Sequence, residues 1–281
     1  MKPGYRSNNI LWSLRKVRLP ITRRDLVLDV GSGSSPHPAA DVLLEKYVDV
    51  KHRYEMLVAD RPTVLADACK MPFRDNAFDF IVAFHVLEHM HDPAAFLREL
   101  QRVGKAGYIE TPNAIFERLI PYDVHLLEIM DVNGVLHIHK KNSARPDFFL
   151  NEMDLITNDA QWRKFFYDNP ALFHVRHLWK GKIRFEIQNP EASTSWFTDP
   201  KVVPLAENHM ETLGRSAGLR GLGLAALRRW YRSRKRKVDI NRLLVCPECH
   251  GDLRFDPDYY YCAVCAVRYQ RRPIPNFNTP V

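Results

Sequence analysis

The feature that most constrains the fold is a short apolar run at residues 25–30, which leads directly into the loop Gly31-Ser-Gly33. A short apolar run that is bounded by turn residues is typical of a buried strand. Further runs of this kind follow at 42–44, 63–65, 78–84 and 106–111. Because helical or irregular segments separate the runs, the sequence predicts a parallel α/β sheet.

The segment between the last two of these runs predicts a helix. Asp92 is a residue type that caps helices, and Pro93 suits the first helical position. Apolar residues then recur at helical spacing until Gly104, which ends the pattern. We therefore expect a strand–helix–strand unit over residues 78–111.

The second half of the chain predicts two hairpins, around Asn133-Gly134 and Lys180-Gly181, because both dipeptides are turn signals between apolar runs. Their strands are expected at 125–131 with 135–140, and at 173–179 with 182–188. Residues 150–168 have a helical pattern. Together these elements predict an antiparallel edge for the sheet and a cap over its site.

Charge divides the 281 residues into four segments. Residues 1–24 carry seven basic side chains and no acidic one, and residues 214–242 carry ten basic and one acidic. The domain at 25–213, whose cap is expected at 113–213, has 20 basic and 28 acidic side chains. It therefore lacks a broad basic face for nucleic acid. The remaining segment, residues 243–281, is expected to be a separate small module.

The sequence also predicts where the protein resides. No apolar run approaches the ~20 residues that span a bilayer, and the first twenty residues lack the apolar core of a secretory signal. A cytoplasmic location is therefore expected. In that compartment the five cysteines indicate metal ligands or free thiols before disulfides.

The loop after the first strand predicts a ligand site, because ligands of open parallel sheets bind beyond the carboxyl ends of the strands. Glycines in such a loop allow a ligand to approach the backbone closely. A dinucleotide fingerprint would need a third glycine or an alanine where Pro36 stands, so a pyrophosphate is disfavoured.

Two acidic residues at strand ends extend this predicted site. Glu45 has two oxygens that could accept both hydroxyls of a ribose, and Asp67 could accept from an adenine amine. Alternatively, Glu45 is a solvated strand end and Asp67 caps a helix. The order of loop, acid, acid and then Phe78-Asp79 favours a nucleoside held across the sheet edge.

These blocks resemble the class I S-adenosylmethionine-dependent methyltransferases, in particular the broad type-11-like group. The resemblance runs from Leu26 to Asn113 and is carried by LDVGSGSSP (28–36), DACKMPFRDNAFDFIVAFHVLEHMHDP (67–93) and GYIETPN (107–113). It implies a Rossmann-like α/β fold and S-adenosylmethionine as the cofactor.

The resemblance also implies a set of cofactor-binding residues, namely Asp29, Gly31, Gly33, Glu45, Asp67, Ala68, Phe84 and His85. In it the glycines face the methionine portion, Glu45 binds ribose, and Asp67 and the backbone of Ala68 bind adenine. Phe84 and His85 lie near the transferable methyl. The chain departs from the family at Ser35, where a glycine is common, and in a short crossover before Glu45, which makes Asp49 the alternative ribose ligand.

Methyl transfer aligns nucleophile, methyl and sulfur, and an oxygen nucleophile also needs a base. His85 is the first candidate for the base and His89 the second; alternatively, His85 packs at the strand end and His89 caps a helix. Residues 83–86 lack a Pro-Pro-Tyr type motif, which disfavours planar exocyclic amines as acceptors. Residues 85–89 also match the inverted zinc-protease motif H-x-x-E-H, but that motif needs one long helix.

The C-terminal module contains two C-x-x-C pairs, Cys246 with Cys249 and Cys262 with Cys265, separated by twelve residues. Four thiolates at this spacing predict a structural zinc site, with redox use or iron as the alternative. Residues 243–281 are similar to the small zinc-ribbon activator of eukaryotic methyltransferases of transfer RNA, ribosomal RNA and release factors. That resemblance implies docking on the catalytic domain of the same chain. Cys69 stands apart and is expected to be a small buried residue.

We therefore expect a methyltransferase that acts on a small-molecule or glycan-type acceptor, since the domain is acidic and its cap is rich in tryptophan and histidine. An RNA acceptor is the alternative, favoured by the zinc ribbon and by the basic and aromatic residues at 228–237. The same segment suits an anionic membrane surface, which would make the protein peripheral at the membrane. A noncatalytic nucleoside- or partner-binding protein is the remaining alternative.

Overall fold

The computed structural model describes five parts of the chain, residues 19–48, 57–122, 124–143, 159–198 and 237–281. Several expectations concern residues outside these parts: the basic N-terminal segment up to residue 18, the alternative ligand Asp49, the predicted helix before residue 159, and the basic linker up to residue 236.

The described parts contain strands β1 (Val27–Val30), β2 (Val42–Glu45), β3 (Thr63–Leu65), β4 (Phe80–Phe84), β5 (Ala106–Pro112), β6 (Leu127–Val132), β7 (Val135–Lys140), β8 (His174–Lys180), β9 (Phe185–Ile187), β10 (Leu253–Phe255), β11 (Tyr259–Cys262) and β12 (Val267–Gln270). The helices are α1 (Pro93–Val103), α2 (Ala114–Leu119), α3 (Ala160–Asp168) and α4 (Pro170–Phe173). Single 3-10 turns lie at Leu87–His89 and Ile240–Arg242.

The central sheet has six strands in the order β3-β2-β1-β4-β5-β8. The first five are parallel, and β8 pairs antiparallel with β5 at one edge. The predicted α/β sheet with an antiparallel edge strand is thus confirmed. The strand order reverses between β1 and β4, so the loops after these two strands diverge and leave a crevice at their carboxyl ends.

Apolar side chains explain why these segments form the centre of the domain. All residues of β1, β2 and β4 are buried, and their side chains divide between two core clusters. Helix α1 begins as predicted: Asp92 accepts a hydrogen bond from the backbone N–H of Ala95 at 2.8 Å, and Pro93 occupies the first turn. Its buried face carries Phe96, Leu97, Leu100 and Val103.

A second, three-stranded sheet has the order β6-β7-β9. The hairpin predicted at Asn133-Gly134 joins β6 to β7, and both turn residues have positive φ, as this type of turn requires. The hairpin predicted at Lys180-Gly181 is wrong, because β8 belongs to the central sheet and β9 pairs parallel with β7. Ile183 separates the two strands: its side chain is buried and its N–H donates to Gln101 Oε1 at 2.8 Å.

The third sheet, β10-β11-β12, is antiparallel and contacts the edge of the central sheet at β3. Leu65 donates its N–H to the carbonyl of Pro275 (2.8 Å) and accepts from the N–H of Phe277 (2.7 Å). A bridge also joins Phe73 to Leu244. One core cluster contains buried side chains of both regions.

Candidate functional site

The bend after β1 is built from two glycines with positive φ, +68° at Gly31 and +57° at Gly33. The N–H of Gly31 donates to the carbonyl of Leu44 at 2.8 Å. A Cβ atom on Gly31 would lie 2.4 Å from Cγ2 of Val86, which is closer than atoms can approach. Both the backbone conformation and the space therefore require glycine at position 31.

Two buried carboxylates hold this bend. Oε1 of Glu45, at the end of β2, accepts hydrogen bonds from Ser32 Oγ (2.7 Å) and from the N–H of Gly33 (2.5 Å). Asp29, within β1, accepts from the N–H of His37 at 2.7 Å. Glu45 thus lies at the glycine bend rather than at a solvated strand end.

Asp67 and Ala68 lie beyond the end of β3. Oδ1 of Asp67 accepts from the N–H of Cys69 at 2.7 Å across a turn, and Oδ2 pairs with Lys46 at 3.1 Å. No helix follows Asp67 within the described residues 68–85, so the alternative that it caps a helix is wrong. Cys69 is half-buried, and burial together with Asp67 raises its pKa to about 12, which keeps the thiol neutral.

Phe84 is the last residue of β4, and its ring packs into the core. The ring lies 5.4 Å from that of Tyr108, between centroids, in the smaller of the two core clusters. Only 8% of the residue is exposed. Among the described contacts, its side chain therefore supports the sheet behind the site.

His85 directly follows β4 and has a positive φ of 56°, a rare conformation for a non-glycine residue. Its N–H donates to the carbonyl of Glu110 at 2.7 Å, which fixes the backbone at the strand end. The imidazole lies between two buried carboxylates, with Nδ1 3.4 Å from Glu88 Oε1 and Nε2 3.8 Å from Glu110 Oε1. The side chain is 38% exposed, so it can reach a bound molecule.

Polar side chains behind His85 form a buried network. Glu110 accepts from the hydroxyl of Tyr108 at 2.8 Å, and that hydroxyl accepts from Arg176 Nε at 3.1 Å. Burial and the charge of Glu110 raise the pKa of Tyr108, so its hydroxyl remains a donor. Glu88 accepts from Thr111 Oγ1 at 2.8 Å.

The carboxyl group of Glu88 is fully buried. Burial alone would raise its pKa, but the contact with His85 and the nearby rings of His89 and His125 lower it to about 2. With this pKa the Glu88 carboxylate is ionised throughout the neutral pH range. Burial lowers the pKa of His89 despite the attraction of Glu88, so the neutral form of that ring is favoured.

The structure brings His125 into this site, although the sequence pattern had assigned it to a strand. The backbone N–H of Leu126 donates to the carbonyl of Glu88 at 2.7 Å, and β6 begins only at Leu127. The rings of His89 and His125 lie 4.8 Å apart. His89 closes a 3-10 turn, and its ring contacts the chain before β6.

The inverted zinc-protease motif does not have its required geometry in this chain. His89 ends a 3-10 turn of three residues, and His85 lies before that turn at the strand end. The two histidines therefore do not share the long helix on which that motif depends.

Sequence reasoning missed Glu110 and Glu117 as parts of this site, and it passed over His125. Glu110 lies in the third resemblance block, where its position at the end of a buried strand was the available signal. Glu117 is on α2 and His125 precedes β6, so no local spacing connects them to Glu88.

The four cysteines of the C-terminal module lie together, with their sulfur atoms all within 4.8 Å of one another. The Sγ distances are 4.0 Å between Cys246 and Cys265 and 3.5 Å between Cys249 and Cys262. Tetrahedral zinc with Zn–S bonds of about 2.3 Å separates its sulfur ligands by about 3.8 Å. The donor set and spacing therefore fit a closed zinc site.

No helix among the described residues combines the length and the apolar composition needed to cross a membrane. The basic and aromatic residues 228–236 lie outside the described parts, so their contacts with RNA or a membrane surface stay predictions.

Residues 28–109 match the family described as a methyltransferase domain. A demethylmenaquinone methyltransferase of Corynebacterium urealyticum is 33% identical over 109 residues, which cover 34% of this chain and 45% of that protein. An ajmaline N-methyltransferase of Rauvolfia serpentina is 42% identical over 43 residues, 15% of each chain. The chain thus spans less than half the length of these curated relatives.

Among solved structures, a complex that contains the Haloferax volcanii Trm112 methyltransferase activator is similar at 21% identity and a TM-score of 0.29. The similarity covers 35% of this chain and 50% of that chain. The segment 28–109 thus matches a methyltransferase domain in sequence, and its strands belong to a Rossmann-like α/β sheet.

Proposed function

We propose that this chain is an S-adenosylmethionine-dependent methyltransferase whose acceptor is a small molecule or a glycan. The observation that carries the proposal is the buried Glu45 carboxylate at the Gly31–Gly33 bend, where the strand order reverses. A backbone bend that excludes a side chain, next to a carboxylate that can accept from hydroxyls, suits a nucleoside without a pyrophosphate. When bound, S-adenosylmethionine supplies an activated methyl group.

In this proposal different residues of the site bind the cofactor and accept the proton of the acceptor. Asp29, Glu45, Asp67 and the two glycines bind and orient the nucleoside and its methionine portion, with Ala68 at the adenine. His85 receives the proton of an acceptor hydroxyl, and the carboxylates of Glu88 and Glu110, 3.4 Å from Nδ1 and 3.8 Å from Nε2, stabilise the protonated ring. A base placed in this way contributes about 10²–10⁴-fold to the rate. His89 is the second candidate for the base.

The acceptor class is proposed from charge and from the side chains above the site. Residues 25–213 carry 28 acidic and 20 basic side chains, and the ring of His85 lies 5.3 Å from that of His174, which packs with Phe116 and Phe166 in a largely buried cluster. An acidic domain with apolar rings beside its candidate base suits a sugar or an apolar small molecule better than a polyanion.

We also propose that the zinc ribbon remains bound to the domain of its own chain. The backbone hydrogen bonds at Leu65 and the apolar side chains shared with Phe73 support this arrangement. Bound zinc would hold the module folded, because a module of this size has little core of its own.

Cofactor binding tests the proposal through calorimetric titration of the full chain with S-adenosylhomocysteine. Gly31→Val is expected to abolish measurable binding, and Asp67→Ala to weaken it about tenfold, as loss of one hydrogen bond predicts. Gly181→Val is the matched control: it also has positive φ, but no atom lies within 4 Å of its Cβ position. No binding by the folded parent protein would favour the noncatalytic alternative.

Methyl transfer itself is tested with labelled S-adenosylmethionine and cell extracts separated by size. Label is expected in the small-molecule or glycan fraction, and His85→Ala should reduce it while cofactor binding persists. Label found only in RNA would support the alternative acceptor, which the ten basic side chains of residues 214–242 favour. Neutralising residues 228–237, followed by RNA filter binding and liposome flotation, separates RNA from an anionic membrane as the partner of that segment.

A further inference from the structure

We propose that Glu88, His89 and His125 form a second metal site, which binds a divalent transition-metal ion separately from the four cysteines. One ligand atom of each of these residues lies within 4.8 Å of the others. This proposal is independent of the proposed methyl transfer, because metal binding can be measured directly and does not require that activity.

The first reason is the state of the Glu88 carboxylate, which is wholly buried. Its Oε2 accepts from Thr111, but Oε1 accepts no hydrogen bond from the residues that the structure describes. The nearest cationic group to Oε1 is His85 Nδ1 at 3.4 Å, an ion-pair distance only if that ring is protonated. A buried carboxylate oxygen without a hydrogen bond is costly unless it meets a cation or a metal ion.

The second reason is the orientation of the two imidazole rings. Nδ1 of His89 lies 2.8 Å from the carbonyl of Val124, and a carbonyl only accepts, so Nδ1 carries the proton. Nδ1 of His125 contacts the carboxylate of Glu117, which is buried and also pairs with Lys141 at 2.8 Å. Both rings therefore leave the lone pair of Nε2 for another group.

This arrangement is the one that metal-bound histidines adopt, because a carbonyl or carboxylate on one ring nitrogen fixes the tautomer and aims the other nitrogen at the metal. The Val124 carbonyl and the Glu117 carboxylate act in this way on the two rings. Around zinc, ligand atoms at about 2.1 Å from the metal are about 3.4 Å apart in a tetrahedral site. In the structure the three ligand atoms lie within 4.8 Å of one another.

The ligand set indicates which metals bind. Two imidazoles and one carboxylate suit zinc, or iron in the facial arrangement of three ligands, and they bind calcium or magnesium poorly. Three protein ligands leave at least one coordination position open, unlike the closed set of four thiolates. Glu88 also lies 3.4 Å from Nδ1 of His85, so a metal held by Glu88 would be near the candidate base, a point that rests on the proposed function of His85.

The experiment uses the full chain, purified with zinc in the cysteine site and titrated with zinc chloride in a calorimeter. The parent protein is expected to bind one further equivalent, and Glu88→Gln and His125→Asn are expected to lose it while keeping the first. His177→Asn is the matched control, because His177 is also buried and paired with a carboxylate, Asp131, outside the three-residue site. It should retain both equivalents.

A measurement on the parent protein alone covers the case in which a variant does not fold. Cobalt added to the zinc-loaded protein should give a spectrum without thiolate charge transfer, and added zinc should shift the side-chain nitrogen resonances of two histidines. The proposal is overturned if the zinc-loaded parent takes up no further equivalent, and also if a further equivalent is still bound by both folded variants. Loss of cofactor binding with the second metal intact would contradict only the proposed methyl transfer.

Discussion

The two clusters of metal-ligating side chains in this chain differ in how far apart their members lie in the sequence. The four cysteines lie within residues 246–265, in and next to one small antiparallel sheet. Glu88 and His89 share a 3-10 turn and lie 36 or more positions before His125, which lies in the segment before β6. A local cluster can be identified from spacing alone, whereas a distant one depends on the packing of the whole domain.

The clusters also differ in what surrounds them. Sulfur ligands on a small module replace a core that the module lacks, which makes their proposed zinc structural. The Glu88 cluster lies within the main domain, which supplies most of the buried residues of the core cluster. We therefore expect loss of the first metal to unfold part of the chain and loss of the second to leave the fold intact.

The largest effect is expected from removing the cysteine-bound metal, either with a chelator or by Cys246→Ser. Zinc contributes about 10–16 kcal/mol of apparent binding free energy in small modules, as much as the whole stability of a typical domain. The module should unfold and, through Leu244 and Phe277, lower the melting temperature of the entire chain. Circular dichroism melts with metal analysis measure this, and Cys69→Ser is the control. An unchanged melting temperature after proven metal loss would contradict a structural role for the metal at the cysteines.

The variant Phe277→Ala tests how much a buried ring of the module contributes to the stability of the chain. The Phe277 ring is 5% exposed and lies 4.9 Å from Tyr269 and 5.4 Å from Tyr260. Its truncation should cost about 3–5 kcal/mol of unfolding free energy, measured with denaturant. Phe255→Ala on the same module is the control, since Phe255 is 52% exposed and should cost much less. Equal effects of the two would mean that the Phe277 ring contributes no more than an exposed ring to the core cluster in which it lies.

A smaller effect is expected from Glu117→Gln, which changes the support of the second cluster. The variant leaves Lys141 without its carboxylate and weakens the hold on His125, so the free energy of unfolding should fall by about 1–3 kcal/mol. Zinc affinity at the Glu88 cluster should fall about 10–100-fold. Glu128→Gln is the control, because Glu128 pairs with the exposed Arg118. A lower stability with unchanged zinc affinity would assign Glu117 to the fold only.

The smallest effect is expected from Lys70→Ala, at the ion pair between the domain and the module. Lys70 Nζ lies 3.1 Å from Glu248, and the two side chains are 62% and 49% exposed. Exposed pairs of this kind contribute about 0–1 kcal/mol. Denaturant unfolding should therefore hardly change, and a loss comparable to that of Phe277→Ala would show that charge rather than apolar contact joins the two regions.

Much of the central sheet could be predicted from the sequence because its strands are short apolar runs between turn residues. The five parallel strands and helix α1 appear at the predicted positions. The segments on either side of Lys180-Gly181 could not be assigned correctly, because their local sequence patterns are alike. They differ only in the strands with which they pair. β8 pairs with β5, whereas β9 pairs with β7.

The candidate cofactor site was predictable to a similar degree. The glycine bend and Glu45 belong to adjacent strands, β1 and β2, so strand order alone places them at one sheet end. The contact between His85 and Glu110 and the turn at Asp67 could be identified only in the tertiary structure, because side-chain contacts across strands depend on register.

The sequence by itself determined the positions of the parallel strands, the glycine bend and the spacing of the four clustered cysteines, because each follows from the character and spacing of neighbouring residues. Only the tertiary structure decided that His125 lies near Glu88 and that the backbone of Phe277 bonds to Leu65 of β3. The physical reason is that both contacts depend on non-local hydrogen bonds, from Leu126 to Glu88 and between Leu65 and the C-terminal segment. Such bonds form only after the core has brought distant segments together.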